Sequence, residues 1–273
     1  MTAPSTAPST APSTAPSTAP STAPSRCSWP ASPDSGEARG AFPDWRFAPN
    51  IGGHPDVYEI ENQALDRAGH VLDALRRLAP WVGKTIVDLG CGTGFWLARY
   101  SAEASQVIGI EPDPAVRARA QRAAAELRRT AVLAGSAEHT GLADDSADVV
   151  HARFAYFFPP GTDAGLTEVL RVLRPGGHLI AVDNDYRWGQ FAGLLAGASS
   201  KPPADVAASV DRWWRARGAR RHEIRSELRF ASRADLAAVL RIEFPPEVAD
   251  AWLARNPTAT GLTYGYVLFE VAA

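Results

Sequence analysis

Lysine is nearly missing from this chain. Lys84 and Lys201 are the only two, so almost all the positive charge is arginine. Together with abundant alanine, that points to the codon bias of a GC-rich genome more than to a binding surface. Charge of one sign does not dominate: the formal net charge is −2, which gives no global pull toward nucleic acid or an anionic membrane. Cysteine is scarce as well. Cys27 falls near a proline-rich tail and Cys91 inside a glycine loop, a poor pair for a disulfide and consistent with a reduced, cytoplasmic protein. No stretch approaches the roughly 20 apolar residues needed to span a bilayer. The start of the chain has neither a basic segment nor an apolar run, which argues against a secretory leader. No His/Cys cluster has metal-ligand spacing, so no metal is expected.

What is present divides the chain. After Met1 the tetrapeptide Thr-Ala-Pro-Ser repeats six times, through Ser25. A proline at every fourth position blocks helix and sheet, and the repeat has nothing large to bury, so residues 1–25 are expected to be a disordered, dispensable tail. Residues 26–55 read as a linker or lid, anchored to the body by Trp45 and Phe47. The remaining 56–273, with 45% apolar side chains over the whole chain, suffice for one large core. Val57, Ile60, Ala64, Ala68, Val71, Leu72, Leu75 and Leu78 recur at helical spacing, predicting one helix over 56–78.

Short apolar strands then alternate with amphipathic helices. Strands are expected at 85–89, 106–110, 131–134, 147–151 and 178–182, with helices at 94–100, 114–128 and 163–173. That alternation predicts a doubly wound, mostly parallel α/β sheet covered on both faces. The later segments predict helices at 204–217, 233–242 and 245–255 and strands at 223–230 and 262–271. With the N-terminal segment, the insertions near 186–220 and 231–260 are read as a helical cap.

The chemistry concentrates at Asp88-Leu89-Gly90-Cys91-Gly92-Thr93-Gly94, between the first strand and the next helix. Glycines there let the backbone turn tightly and approach a ligand. A dinucleotide loop would read G-x-G-x-x-G, but Phe95 stands three residues after Gly92. The spacing suits an amino acid's carboxylate and amine better than a pyrophosphate. Glu111 ends the second strand 17 residues after Gly94, where an acid accepts hydrogen bonds from ribose hydroxyls. Capping of the helix that begins near Asp113 is its alternative role.

Val87 to Gly94 resembles the first motif of class I S-adenosylmethionine-dependent methyltransferases. Gly135-Ser136-Ala137-Glu138 with Leu142 to Val150 resembles their adenine-binding segment and fourth strand. Glu168 to Gly177 resembles the helix and turn before their fifth strand. One departure is Ser136, where the family usually carries Asp. The resemblance implies S-adenosylmethionine as cofactor and S-adenosylhomocysteine as product. It implies that Gly90, Cys91, Gly92 and Gly94 hold the methionine part, with Asp88 near its amine. Glu111 and Pro112 would take the ribose, Ala137 and Glu138 the adenine, and His151, Arg153 and Phe154 would lie beneath the sulfonium. A cationic sulfur also favours aromatic faces, and Phe154, Tyr156, Phe157 and Phe158 are candidates.

A positively charged sulfur already activates the methyl group, so the protein mainly aligns the acceptor and excludes water. His151 is the candidate general base, expected to matter more for turnover than for folding; a structural or cofactor-contacting histidine is the alternative. His54, Tyr156 and Asp183 are weaker candidates, and His70 and His139 read as surface residues. The Asn/Asp-Pro-Pro-aromatic motif of the family's amide- and amino-base-methylating members is absent: His151-Ala152-Arg153-Phe154 stands in its place. DNA adenine and glutamine methylation are therefore not expected, and the helical cap and aromatic residues favour a small, partly apolar methyl acceptor. Residues 211–229 hold seven arginines against three acids, around Trp213-Trp214. An RNA or protein methyltransferase would present that stretch as one continuous exposed face. A cofactor-binding protein that does not methylate is the third reading.

Overall fold

The computed structural model describes residues 42–273. The Thr-Ala-Pro-Ser repeat, Cys27 and linker residues 26–41 lie outside the described residues. The chain enters through α1 (Pro49–Gly53), α2 (Pro55–Ala64) and α3 (His70–Leu78). The Ile/Val-rich segments form β1 (Thr85–Leu89), β2 (Gln106–Ile110), β3 (Thr130–Leu133), β4 (Ala147–Arg153) and β5 (Leu173–Asn184). Between them run α4 (Leu97–Ser101), α5 (Pro114–Ala124) and α6 (Asp163–Val172). The chain continues through α7 (Gln190–Ala198), α8 (Pro203–Arg215), β6 (Arg220–Arg229), α9 (Arg233–Glu243), α10 (Pro246–Arg255) and β7 (Gly261–Ala272).

The seven strands form one sheet in the order β3-β2-β1-β4-β5-β7-β6. β1 to β5 are parallel, and β7 runs antiparallel between β5 and β6. The order reverses beside β1, so the carboxyl ends of β1 and β4 open where doubly wound sheets bind ligands. Apolar side chains alternate to both faces. Ile86, Val149 and Ile180 pack with α3, α4, α7, α9 and α10 on one face; Val87, Val150 and Leu179 pack with α6 and α8 on the other. Among the described residues no helix is long and apolar enough to cross a membrane.

The helix expected over 56–78 is broken in two. Asp66 adopts a left-handed φ of 47°, and its carboxylate accepts from the Val71 amide (2.8 Å) and the Ser226 hydroxyl (2.7 Å). Leu65 meanwhile bridges to Leu228 of β6. These ties to the sheet edge need the chain to leave the helix, and the apolar period across the break does not record them. The helix expected at 94–100 begins only at Leu97, because Cys91 to Trp96 are spent in turns around the glycines. β5 is longer than expected, since β7 pairs with it from His178 through Asn184. Trp213 and Trp214 of α8 are buried against the sheet, with Trp214 stacked on Phe269 at 5.1 Å. That helix covers a sheet face instead of capping the carboxyl edge. α7 and α1 had no periodic signal: α7 is apolar on every side, and α1 has only five residues.

Candidate functional site

At the carboxyl end of β1 the chain turns through three left-handed glycines, Gly90 (φ 71°), Gly92 (φ 58°) and Gly94 (φ 86°). The amides of Gly90 and Cys91 both donate to the Ile110 carbonyl, at 2.9 and 3.0 Å, pinning the loop to the end of β2. Glu111, the next residue, completes the tie. Its carboxylate accepts from the Gly92 amide (2.9 Å) and the Asp113 amide (3.0 Å). The cap of α5 is Asp113 itself, whose side chain accepts from the Ala115 and Val116 amides. Glu111 is thus free of the capping role and faces the glycine loop. Burial lifts its carboxyl to about 7, against the pull of the two amides. Arg117 donates to the carbonyls of Glu111 (2.9 Å) and Pro112 (3.0 Å), fixing the turn after β2.

Beneath the loop lies a buried ion pair. Asp88 has no exposed surface, and both its oxygens accept from Arg153, at 3.2 and 2.9 Å. The Arg153 guanidinium lies over the Trp96 ring at 4.4 Å. Its Nε is buried without a hydrogen-bond partner. The two residues meet because β1 and β4 pair with Asp88 beside His151, and Arg153 is two positions further along the same strand face. Burial raises the Asp88 carboxyl despite Arg153. Cys91 is buried too, which pushes its thiol well up and leaves it a packing group against Gly109.

His151 lies inside the body of the fold. It is fully buried, edge-on to Trp81 (5.6 Å) and Tyr100 (5.5 Å), and its Nδ1 shares a hydrogen bond with the Tyr100 hydroxyl at 3.1 Å. Burial and then the Arg153 charge lower its pKa to about 3. An imidazole so reluctant to take a proton suits the core better than a general base. We predict that His151→Gln leaves S-adenosylhomocysteine affinity within about threefold while costing about 1–3 kcal/mol of stability. Calorimetry and urea denaturation check both; a large loss of affinity with unchanged stability would restore the contact role. The sign for pH follows from a depressed histidine pKa. His151's contribution is full above its ordinary value near 6.5 and is lost as pH falls toward 3.

The post-β4 loop closes over the glycines from one side. Phe154 (φ 50°) and Tyr156 (φ 54°) are left-handed without being glycine, a conformation held only by surrounding structure. A Cβ on Gly90 would come within 2.4 Å of the Ala155 Cβ, so only glycine fits there. The Tyr156 hydroxyl donates to Glu138 (2.7 Å) and accepts from the Gly165 amide (3.1 Å). Ala137 is buried, and the Glu138 amide donates to Asp44 (3.2 Å). Ser136, where an Asp was expected, accepts from the His139 amide (3.2 Å).

The N-terminal segment closes the other side. A Cβ on Gly92 would meet Ile51 of α1 at 3.0 Å, and Thr93 donates to Glu59 of α2 at 3.2 Å. Of the expected anchors, Trp45 is half-buried and Phe47, just before α1, is 47% exposed and lies on Gly52 of α1; the Asp44 carboxylate ties this segment to the Glu138 amide. Of the other candidate bases, His54 is exposed between α1 and α2. Asp183 is buried, accepting from the Asn184 amide at 2.7 Å. Sequence reading missed the Asp88–Arg153 pair, the Tyr156–Glu138 bond and the cover by Ile51. Only the first had a signal: two opposite charges on neighbouring parallel strands at the loop.

The arrangement fits the cofactor implied by the sequence. It provides a glycine cradle that side chains would fill, a carboxylate at the end of β2, and a guanidinium Nε lacking a partner at the cradle floor.

Comparisons with known proteins agree with that fit. Residues 87–181 match the family described as a methyltransferase domain. An uncharacterized methyltransferase of Mycobacterium tuberculosis is 33% identical over 143 residues, 51% of this chain and 57% of the relative. The ubiquinone/menaquinone biosynthesis C-methyltransferase of Rubrivivax gelatinosus is 34% identical over 129 residues, 46% of this chain and 51% of that protein. The chain thus spans little more than half the length of these relatives. Among solved structures, the YcgJ protein of Bacillus subtilis has a TM-score of 0.54 at 16% identity, covering 74% of this chain and 97% of that one. A putative methyltransferase from an antibiotic biosynthesis pathway of Anabaena variabilis has a TM-score of 0.54 at 17% identity, covering 76% and 98%. At such identities the likeness is one of fold.

Proposed function

We propose that the chain, whose residues 87–181 match a methyltransferase domain, is a class I S-adenosylmethionine-dependent methyltransferase that transfers a methyl group from S-adenosylmethionine to a small-molecule acceptor in the cytoplasm. The observation that carries this reading is the Gly90–Gly94 loop tied by the Gly92 amide to Glu111. Backbone at Gly90, Cys91, Gly92 and Gly94 would hold the methionine part, and the Asp88–Arg153 pair offers opposite charges to its amine and carboxylate. Glu111 and Pro112 would take the ribose, and Ala137 and Glu138 would border the adenine. Phe154 would present its ring near the transferred methyl. Bound there, the cofactor supplies an electrophilic methyl on a cationic sulfur. The chain's own part is to bind, orient and exclude water: α1 and the 154–160 loop cover the cradle, and the left-handed Phe154 holds its ring toward β7. The acceptor's lone pair forms the new bond to carbon, the carbon–sulfur pair returns to sulfur, and any acceptor proton leaves to solvent. With its pKa near 3, His151 is given a packing role here.

The Arg/Trp-rich 211–229 segment favours a small molecule over RNA or protein. Arg217 pairs with Asp163, Arg220 with Glu270, Arg221 with Asp211 and Glu223, and Arg229 with Glu227, while both tryptophans are buried. Charges spent within the chain do not form one exposed basic face. The named activity of the Rubrivivax relative, in quinone biosynthesis, is consistent with a small acceptor. The test is transfer of labelled methyl from S-adenosylmethionine to a metabolite extract, with mass spectrometry of the product. Label in RNA or protein fractions alone would replace the acceptor class. Cofactor binding with no label in any fraction would favour the non-methylating reading.

Glu111 supplies a pH prediction. A carboxyl raised to about 7 when folded contributes stability that is present below its ordinary 4.5 and lost as pH rises through 7. Between pH 5 and 8 the wild type should therefore lose about 2–3 kcal/mol relative to Glu111→Gln. The same variant should bind S-adenosylhomocysteine about tenfold more weakly, or worse, through lost hydrogen bonds to a charged group. Parallel pH–stability curves for the two proteins would show that the Glu111 carboxylate is not desolvated.

A further inference from the structure

β7 pairs antiparallel with β5, with Asn184 beside Tyr266. Tyr264 and Tyr266 therefore stand at the carboxyl end of β5, the sheet edge that carries the glycine loop, and their spacing of two puts both rings on one face. They build an aromatic cluster with residues from two other elements. Tyr264 and Tyr266 lie 4.4 Å apart at 32°, Phe191 of α7 is 4.2 Å from Tyr264 at 25°, and Phe154 is 6.3 Å from Tyr264 at 20°. Phe191 and Phe154 both stack on Tyr264, whereas Tyr266 is tilted to Tyr264 and, at 6.1 Å and 48°, to Phe154.

Two departures from ordinary core packing meet in this cluster. Phe154 holds a left-handed backbone, a strain that concentrates at ligand sites. The Tyr266 hydroxyl is buried with no hydrogen-bond partner, whereas the Tyr264 hydroxyl donates to Asn184. Buried phenols normally find a partner, because an unmade bond costs about 1–3 kcal/mol. The charges acting on the Tyr266 hydroxyl are carboxylates, those of Asp66 and Glu61. With burial, which weighs most, they keep it protonated and therefore a donor. Asp66 is held by Ser226 and Val71 at the turn after α2, and Glu61 lies buried on α2 itself. A donor in a negative surround suits a neutral oxygen better than an anion.

We propose that Phe154, Phe191, Tyr264 and Tyr266 form the methyl-acceptor subsite, and that it takes an uncharged, planar aromatic or conjugated molecule whose oxygen is bound by the Tyr266 hydroxyl. The rings stacked about Tyr264 select a flat partner, the orphan Tyr266 hydroxyl selects an oxygen, and the two carboxylates select against negative charge. The inference rests on the cofactor reading above, since the acceptor must meet the methyl at the same sheet edge.

The test uses one carbon skeleton in three forms. The protein saturated with S-adenosylhomocysteine is titrated with 2-naphthol, with its saturated counterpart 2-decalol, and with 2-naphthoic acid. The subsite predicts binding of 2-naphthol, with the saturated and anionic probes at least about tenfold weaker. Tyr266→Phe should weaken 2-naphthol about tenfold, the size of one hydrogen bond, leave S-adenosylhomocysteine affinity unchanged, and hold or raise the melting temperature of the unliganded protein, since it removes an unpaired buried hydroxyl. Equal binding of the three probes, an unaffected Tyr266→Phe, or no binding of 2-naphthol to the saturated protein would each overturn the proposal. Failure of S-adenosylhomocysteine itself to bind would overturn the cofactor reading instead, so the two failures are distinguishable.

Discussion

Gly92→Val abolishes S-adenosylhomocysteine binding while the protein stays folded: this is the largest effect expected on ligand affinity. Gly92 has φ 58°, and its amide donates to Glu111. A β-branched side chain in that conformation costs roughly 1–2 kcal/mol and tends to pull the amide off the carboxylate. Its Cβ would meet Ile51 at 3.0 Å, so the side chain fills the space between loop and cover. An affinity loss of at least about a hundredfold follows, equivalent to about 2.7 kcal/mol. Gly193→Ala is the control. Its Cβ meets nothing within 4 Å, and it lies inside α7, so it should stabilise by roughly 0.5–1 kcal/mol and leave cofactor affinity alone. Retained affinity in Gly92→Val would show that the cradle lies elsewhere.

Arg153→Met carries the largest expected effect on stability. It strands the Asp88 carboxylate, which has no exposed surface, without its only ion-pair partner among the described residues. Breaking a buried pair from one side typically costs about 3–5 kcal/mol, because the remaining charge stays desolvated. The pair as a whole is worth much less, so Asp88→Asn with Arg153→Met should recover most of the loss. With its partner gone, the Asp88 carboxyl is lifted still further, so the single variant is penalised more as pH rises. Urea denaturation of the four proteins in the cycle reads the coupling directly. A loss under about 1 kcal/mol in Arg153→Met would mean that water reaches Asp88.

The sheet was legible in the sequence because each parallel strand is a short apolar run bounded by turn residues, and β1, β2 and β4 lie within two residues of where that pattern puts them. The glycine loop and Glu111 were legible for a different reason: backbone approach and an acid at a strand end are local requirements, written in consecutive residues. What the sequence hid depends on distant pairing. The helix break at Asp66 is set by Ser226, 160 positions away, and the cover over Gly92 is Ile51 from a five-residue helix. His151 shows the limit of placing a residue by strand alone. Its position at the carboxyl edge was readable, but the face it occupies, against Trp81 and Tyr100, is set by strand parity and by a partner from another helix. Tyr264 and Tyr266 read as two of many aromatics until β7 was seen to run beside β5.

The most direct test of the account is calorimetric titration of the protein with S-adenosylhomocysteine, with a nicotinamide dinucleotide titrated in parallel. The account predicts one saturable site for S-adenosylhomocysteine, weakened by Glu111→Gln and lost in Gly92→Val, and no binding of the dinucleotide. Binding of the dinucleotide with none of S-adenosylhomocysteine would contradict it.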